Sequence, residues 1–258
     1  MTSRKIRIDK ILMDRGLAPS REKAQALILA GVVFAGSRRV EKPSETYLPD
    51  AEVEVKGEDH PFVSRGGVKL AGALDHFPIA VQGKICLDVG ASTGGFTDCL
   101  LQRGAKKVYA VDVGYGQFHW KLRQDPRVVL KERSNFRYLE KEAIPEPVDL
   151  AVIDVSFISL AKILPPLLAF LPEGAQVLAM VKPQFELSPQ EVKKGVVRSE
   201  ELQQKAVTAI ESEAKALGFR VFGSVKSSIL GPKGNQEYFL WLESGRAASL
   251  FSSKTRPS

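Results

Sequence analysis

The chain has 258 residues, 44% of them hydrophobic, which suits one large cored domain or two unequal ones and excludes a chain that is disordered throughout. Its formal net charge of +7 favours a polyanionic partner, and the surplus is uneven: residues 1–44 hold ten Lys and Arg against four Asp and Glu. Cys86 and Cys99 are too few for a disulfide framework or a zinc site and read as small core residues in a reducing compartment.

Residues 6–17 read as an amphipathic helix with Ile8, Ile11 and Leu12 on one face, closed by Gly16. Ser20 then offers an N-cap for a helix from Arg21 to Ala30 that gathers Ala24, Leu27 and Ile28 on one side and stops at Gly31. A strand Val32–Phe34, a turn at Gly36 and an alternating strand Val53-Glu54-Val55 complete a small α+β module. Pro61 sits in the following linker. From residue 64 the pattern becomes strands alternating with helices. The apolar runs are Lys84–Val89, Lys107–Val113, Val128–Lys131, Leu150–Val155, Gln176–Val181, Phe219–Lys226 and Glu237–Leu242, with helices expected at Gly67–His76, Phe96–Arg103, Ile158–Leu168 and Ser199–Leu217. Such an order predicts a mainly parallel sheet covered on both faces, with one antiparallel edge strand where a loop joins the last two runs. Residues 245–258, rich in Ser, Ala and Lys, are expected to be disordered. The charged, already periodic N-terminus predicts no secretory signal, and the longest apolar run, residues 26–36, is too short for a bilayer, so a soluble cytoplasmic protein is expected.

The stretch Leu87-Asp88-Val89-Gly90-Ala91-Ser92-Thr93-Gly94-Gly95-Phe96-Thr97 follows a strand and opens a helix, as a ligand-cradling loop does. It lacks both the spacing of a dinucleotide fingerprint and the lysine of a phosphate-binding loop. Asp88 at the strand tip repels phosphate but suits a cationic amine, and Asp112, ending the next strand, suits ribose hydroxyls. Two acids without a phosphate anchor fit S-adenosylmethionine, with Gly90, Ser92, Gly94, Gly95 and Phe96 lining the loop, and Asn135 lies just after the third strand, where methyltransferases usually contact the adenine. A turn-forming Asp before Gly114 is the plainer reading of Asp112. The three histidines, His60, His76 and His119, show no metal spacing, and no metal is expected.

The N-terminal stretches Ile8-Asp9-Lys10-Ile11-Leu12, Gly16-Leu17-Ala18-Pro19-Ser20-Arg21 and Leu27–Val33 resemble the RNA-binding domain of small-subunit ribosomal protein four. That resemblance implies phosphate contacts from Arg4, Lys5, Arg7, Lys10, Arg21, Lys23, Arg38 and Arg39, with Arg65 extending the basic surface; solvated helix surface is the plain alternative for any one of them. The stretches Ser64–Leu70, Asp149–Phe157, Val181–Glu186 and Gly231–Glu237, with the glycine motif, look like the FtsJ-type ribose 2′-O-methyltransferases, and both domains together are similar to the TlyA family, often labelled hemolysin A. The resemblance implies an α/β fold, a Rossmann-like seven-stranded methyltransferase sheet at 64–244 behind a small α+β RNA-binding domain at 1–59 and a linker at 60–63. It implies a catalytic tetrad of Lys69, Asp154, Lys182 and Glu237, S-adenosylmethionine as cofactor, and methylation of a cytidine ribose in ribosomal RNA by a monomer that takes RNA or ribosomal subunits as partner.

Residue chemistry agrees with those roles. A ribose hydroxyl is a poor nucleophile facing a strong methyl electrophile, so alignment and removal of one proton suffice. Lys182 is the base candidate. Its neutral form would be favoured by partial burial and a neighbouring Lys69 cation and opposed by Asp154, which would orient it. The charged loop Phe185–Arg198, with Lys193, Lys194 and Arg198, reads as a substrate-sensitive lid, and Lys233 as a further basic group at the mouth. A noncatalytic RNA-binding assembly factor is the main alternative, since it would bind cofactor without turnover. A membrane-lytic protein would need long apolar or strongly amphipathic segments, and liposome leakage would reveal one. The Asn-Pro-Pro-Tyr signature of amine methylation is absent, with Asp154-Val155-Ser156-Phe157 in its place.

Overall fold

Ile8, Ile11 and Leu12 repeat at helical spacing and are buried together with Ala24, Ile28, Val33 and Val40, so two short helices close over a small sheet. In this computed structural model residues 5–29, 31–55 and 60–245 are described. The chain divides into two units, Met1–Arg65 and Gly66–Ser258.

The first unit begins with β1 (Ile6–Arg7), followed by α1 (Ile8–Asp14), α2 (Arg21–Leu29), β2 (Val33–Ala35), β3 (Arg38–Arg39), β4 (Thr46–Tyr47) and β5 (Val53–Val55). Ile6 and Arg7 pair antiparallel with Tyr47 and Thr46, so the helix expected from residue 6 starts two residues later, where strand pairing releases the backbone. It ends at Asp14, ahead of Gly16 at φ 68°. Ser20 caps α2 as expected, its hydroxyl accepting the Lys23 N–H at 3.2 Å. β2 carries the sheet, with β3 and β5 antiparallel on either side. Arg4, Ala30, the 56–59 end of the first predicted domain and the tail at 246–258 lie outside the described residues.

The second unit runs α3 (Arg65–His76), β6 (Ile85–Val89), α4 (Gly95–Gln102), β7 (Lys107–Val111), α5 (Trp120–Arg123), β8 (Val128–Lys131), β9 (Leu150–Ile153), α6 (Leu164–Leu167), β10 (Gln176–Val181), α7 (Pro183–Glu186), α8 (Glu200–Ala216), β11 (Phe219–Lys226) and β12 (Tyr238–Ser244). Among the described residues these strands form a seven-stranded sheet in the order β11-β12-β10-β9-β6-β7-β8. Leu87, Val89, Ala151, Ile153, Val177, Ala179 and Val181 make its centre, each fully or almost fully buried. The helix expected over Ile158–Leu168 resolves into a tight turn at Leu160–Lys162 and the short α6. Pro165 and Pro166 have no N–H to donate and are tolerated only in a first turn, so they set where α6 begins.

The antiparallel strand is not the edge. β12 lies between β10 and β11 and is antiparallel to both. Sequence supplies the reason in retrospect: Tyr238, Phe239 and Leu240 are buried on both faces, whereas β11 carries Arg220, Ser224 and Lys226 and a bulge after Val221, features that suit an edge.

Candidate active site

β6 ends in a loop that reverses into α4, and three residues of that loop have positive φ: Gly90 (88°), Ser92 (49°) and Gly94 (94°). A Cβ on Gly90 would stand 2.5 Å from the Asp154 carbonyl oxygen, so only glycine lets the β6 and β9 tips approach this closely. Asp88 is fully buried. One carboxylate oxygen accepts the Thr97 hydroxyl at 2.7 Å, while the other, Oδ1, is buried and receives no hydrogen bond. Burial, with the Asp154 and Asp112 charges behind it, pushes the Asp88 carboxyl up to about 7. A buried acid with an open oxygen is what a cationic group would complete.

Asp112 ties two loops together. It accepts the Ser92 N–H at 2.8 Å through Oδ2, and the Gly114 N–H at 2.6 Å and the Gln117 amide at 3.1 Å through Oδ1. The turn-forming reading of this residue is therefore visible in the structure. Asn135 caps a short turn by accepting the Arg137 N–H at 3.2 Å. Gly95 and Phe96 open α4, but the Phe96 ring is buried against Phe239 with centroids 5.9 Å apart, so only its backbone faces the loop. Both cysteines are buried, and desolvation pushes each thiol up to about 12.

The tetrad candidates gather at the C-terminal end of the sheet. Val181 pairs with Tyr238 and Ala179 with Ile153, which brings Lys182, Glu237 and Asp154 to neighbouring strand ends. Lys69 arrives from α3. It donates to Glu237 Oε2 at 2.5 Å, in a pair whose side chains are 10% and 0% exposed. Lys182 Nζ lies 2.5 Å from Asp154 Oδ1 and donates to Ser156 Oγ at 3.0 Å. The Asp154 contact is an ion pair off the carboxylate's hydrogen-bonding direction, since that oxygen has no aligned donor. Each lysine has its own acid, so the neighbouring Lys69 cation invoked for Lys182 is itself paired with Glu237.

Two residues of the site were not singled out from sequence. Phe157, next to Ser156, has φ 64° and is 90% exposed, with its ring 5.1 Å from that of Phe185. A bulky non-glycine residue held left-handed with its ring in water is uncommon and strained. Asn235, in the last loop, is 3% exposed and binds the Val197 N–H and the Gly195 carbonyl, each at 3.0 Å. It stitches residues 195–197 to the turn that presents Glu237, so that end of the expected lid is anchored. The signal for both was their place inside the matched motifs, Asp154–Phe157 and Gly231–Glu237.

In the first unit the described basic candidates, Lys5, Arg7, Lys10, Arg21, Lys23, Arg38 and Arg39, lie at the surface, but several have acidic partners. Arg7 and Arg21 share Asp9, Lys10 pairs with Asp14 at 2.7 Å, and Arg38 with Glu45 at 3.5 Å. Arg65 opens α3. Among the described residues no group of three or more His, Cys, Asp and Glu side chains is placed to hold a metal ion, and no helix is long and apolar enough to cross a membrane.

The chain is similar to several known proteins. Residues 62–244 match the model of the FtsJ-like methyltransferases and residues 6–53 that of the S4 domain. The chain is 49% identical over 243 residues to the 16S/23S rRNA (cytidine-2′-O)-methyltransferase TlyA of Mycobacterium tuberculosis, covering 93% of this chain and 90% of that protein. It is 42% identical to a Brachyspira hyodysenteriae protein named hemolysin A, covering 90% and 98%. A solved structure from Streptococcus thermophilus, described as a hemolysin, superposes with a TM-score of 0.75 at 45% identity over 94% of this chain and 90% of that one.

Proposed function

The chain belongs to the FtsJ-like methyltransferase family, in the TlyA form with an S4 domain ahead of the methyltransferase domain, and from that premise we propose that it transfers a methyl group from S-adenosylmethionine to a cytidine ribose 2′-hydroxyl of ribosomal RNA. The observation that carries this reading is the convergence of the Lys69–Glu237 and Lys182–Asp154 pairs at the sheet end that also carries the glycine loop.

The cofactor supplies a methyl group on a positively charged sulfur, which needs no metal and leaves as a neutral thioether. Asp88, with its open buried oxygen, suits the cofactor's ammonium. Gly90, Ser92, Gly94, Gly95 and Phe96 offer backbone at close range, Asp112 would take the ribose, and Asn135 would stand beside the adenine. As the neutral amine, having given its ammonium proton to water, Lys182 would accept the 2′-hydroxyl proton while the oxygen bonds to the methyl carbon and the carbon–sulfur bond breaks. Asp154 and Ser156 fix the direction of the Lys182 amine, and the Lys69–Glu237 pair holds the ribose in line. Phe157 offers an exposed ring on which the target base can stack. The basic residues of the first unit would grip phosphates, Arg4 being assigned to them from the sequence alone, and the RNA substrate would place the protein in the cytoplasm.

The experiment is methyl transfer from labelled S-adenosylmethionine to separated ribosomal subunits, for the native chain and a Lys182→Ala variant. Label recovered as 2′-O-methylcytidine and lost in the variant supports the proposal. Label on a base would keep methyl transfer and overturn the roles given to the tetrad. Cofactor binding without any transfer to either subunit or to free RNA would favour a noncatalytic assembly factor.

A further inference from the structure

Asp9 is an acid inside a basic RNA-binding face, and it is 1% exposed. Its carboxylate accepts five hydrogen bonds. Oδ1 takes Arg7 Nε at 3.0 Å and the Lys10 backbone N–H at 2.9 Å, while Oδ2 takes Arg7 Nη2 at 2.8 Å, Arg21 Nε at 3.2 Å and Gln25 Nε2 at 3.3 Å. Arg7 stands immediately before α1 and Arg21 opens α2, so one carboxylate joins the starts of two helices. The Arg7 pair is bidentate, and the guanidinium hydrogen bonds hold Asp9 well below the usual carboxylate range, so it stays ionised at any working pH.

Arg7 and Arg21 side chains remain 44% and 57% exposed, and only part of each guanidinium is spent on Asp9. Two arginines and one acid leave a net single positive charge, less than the arginines would carry alone. Simple charge counting therefore makes Asp9 a liability on a phosphate-binding face. Its burial and five contacts argue for another role. A guanidinium fixed at its Nε edge has already lost the rotamer freedom that binding would otherwise take away.

We infer that Asp9 is a positioning residue for RNA binding, holding Arg7 and Arg21 as a preset two-guanidinium cradle for backbone phosphate. The inference rests on the reading of this face as the RNA-binding surface. It predicts the opposite sign to charge counting: removing the acid weakens RNA binding although the chain becomes more basic.

The test uses the full chain, ribosomal RNA and a range of salt concentrations, with Asp9→Asn, Arg7→Gln/Arg21→Gln and the triple variant. Arg7→Gln/Arg21→Gln is expected to weaken binding and lower the slope of log affinity against log salt by about one to two, one per lost phosphate contact. Asp9→Asn is expected to weaken binding roughly threefold to tenfold and lower the slope in the same direction, and to add nothing in the triple variant. Affinity that is unchanged or tighter in Asp9→Asn, with the arginine variant weakened, would overturn the positioning role and leave the RNA-binding face standing. An unchanged arginine variant would remove the RNA-binding reading of this face, and the inference with it. Should Asp9→Asn lose the cooperative melting of the first unit, Asp9→Glu takes its place, keeping the charge but moving it by one methylene; native affinity and slope in that variant would overturn the inference.

Discussion

Lys69 and Glu237 show how much of this site is decided by single charges. Glu237 is wholly buried, and among the described residues its one ion pair is with the ammonium 2.5 Å away. Lys69→Met should destabilise the second unit by about 3–5 kcal/mol, because an uncompensated buried charge costs more than the intact pair contributes. Lys69→Met combined with Glu237→Leu should recover most of that stability in urea unfolding yet show no methyl transfer; a double variant as unstable as the single one would mean the loss is packing, not charge. Asp88 makes a pH-dependent claim. Its folded-state value near 7 lies above the ordinary range of a free aspartate, so its contribution to stability is complete below about pH 4 and is lost as pH rises to about 7. A cation bound at the open oxygen reverses the preference and expels the proton. Calorimetry at pH 6 to 6.5 in buffers of different ionisation heat should therefore record proton release when S-adenosylmethionine binds, absent in Asp88→Asn. Binding without proton release would remove Asp88 from contact with the cofactor's charge.

At the scale of elements, the turn from Gly231 to Glu237 is the most exposed to a small change. Gly231 has an ordinary φ of −74°, so alanine meets no backbone penalty there, but its Cβ would fall on the Glu237 carboxylate. Gly231→Ala should displace that carboxylate from Lys69 and lower the rate of methyl transfer by about tenfold or more while the sheet stays folded; an unaffected rate would show that Glu237 does not need its present position. Sequence reading found the elements whose periodicity is strong. Continuous apolar strands such as Leu150–Ile153 and Gln176–Val181 announce themselves, and strand ends then place Asp88, Asp154 and Lys182 on one side. Short elements are hidden, because a four-residue helix such as Leu164–Leu167 completes barely one turn and leaves no repeat to detect. The interior position of β12 was equally hidden: periodicity reports which faces are buried, not which strand lies beside which. Pairings across the fold, Lys69 with Glu237 or Arg21 with Asp9, come from tertiary structure that no local spacing encodes.

Across the whole molecule the two units divide the physical work. The first presents surface charge, which salt screens; the second presents a buried carboxylate, which salt reaches poorly. RNA affinity should therefore fall steeply between roughly 50 and 200 mM salt, while S-adenosylmethionine affinity measured in the same series stays nearly flat. Parallel losses would place the charge-sensitive contacts at the cofactor instead. The position of β12 adds a matter of timing. It is the last described strand in chain order, yet it fills a gap inside the sheet and delivers Glu237. β10 and β11 cannot be bridged, nor can Lys69 find its partner, until this strand inserts, and so distant a pairing is slow to form. A nascent chain of this protein thus stays inert until nearly all of the described residues have been synthesised. In refolding, the signal of Trp241 on β12 should change in the same late step that restores catalysis.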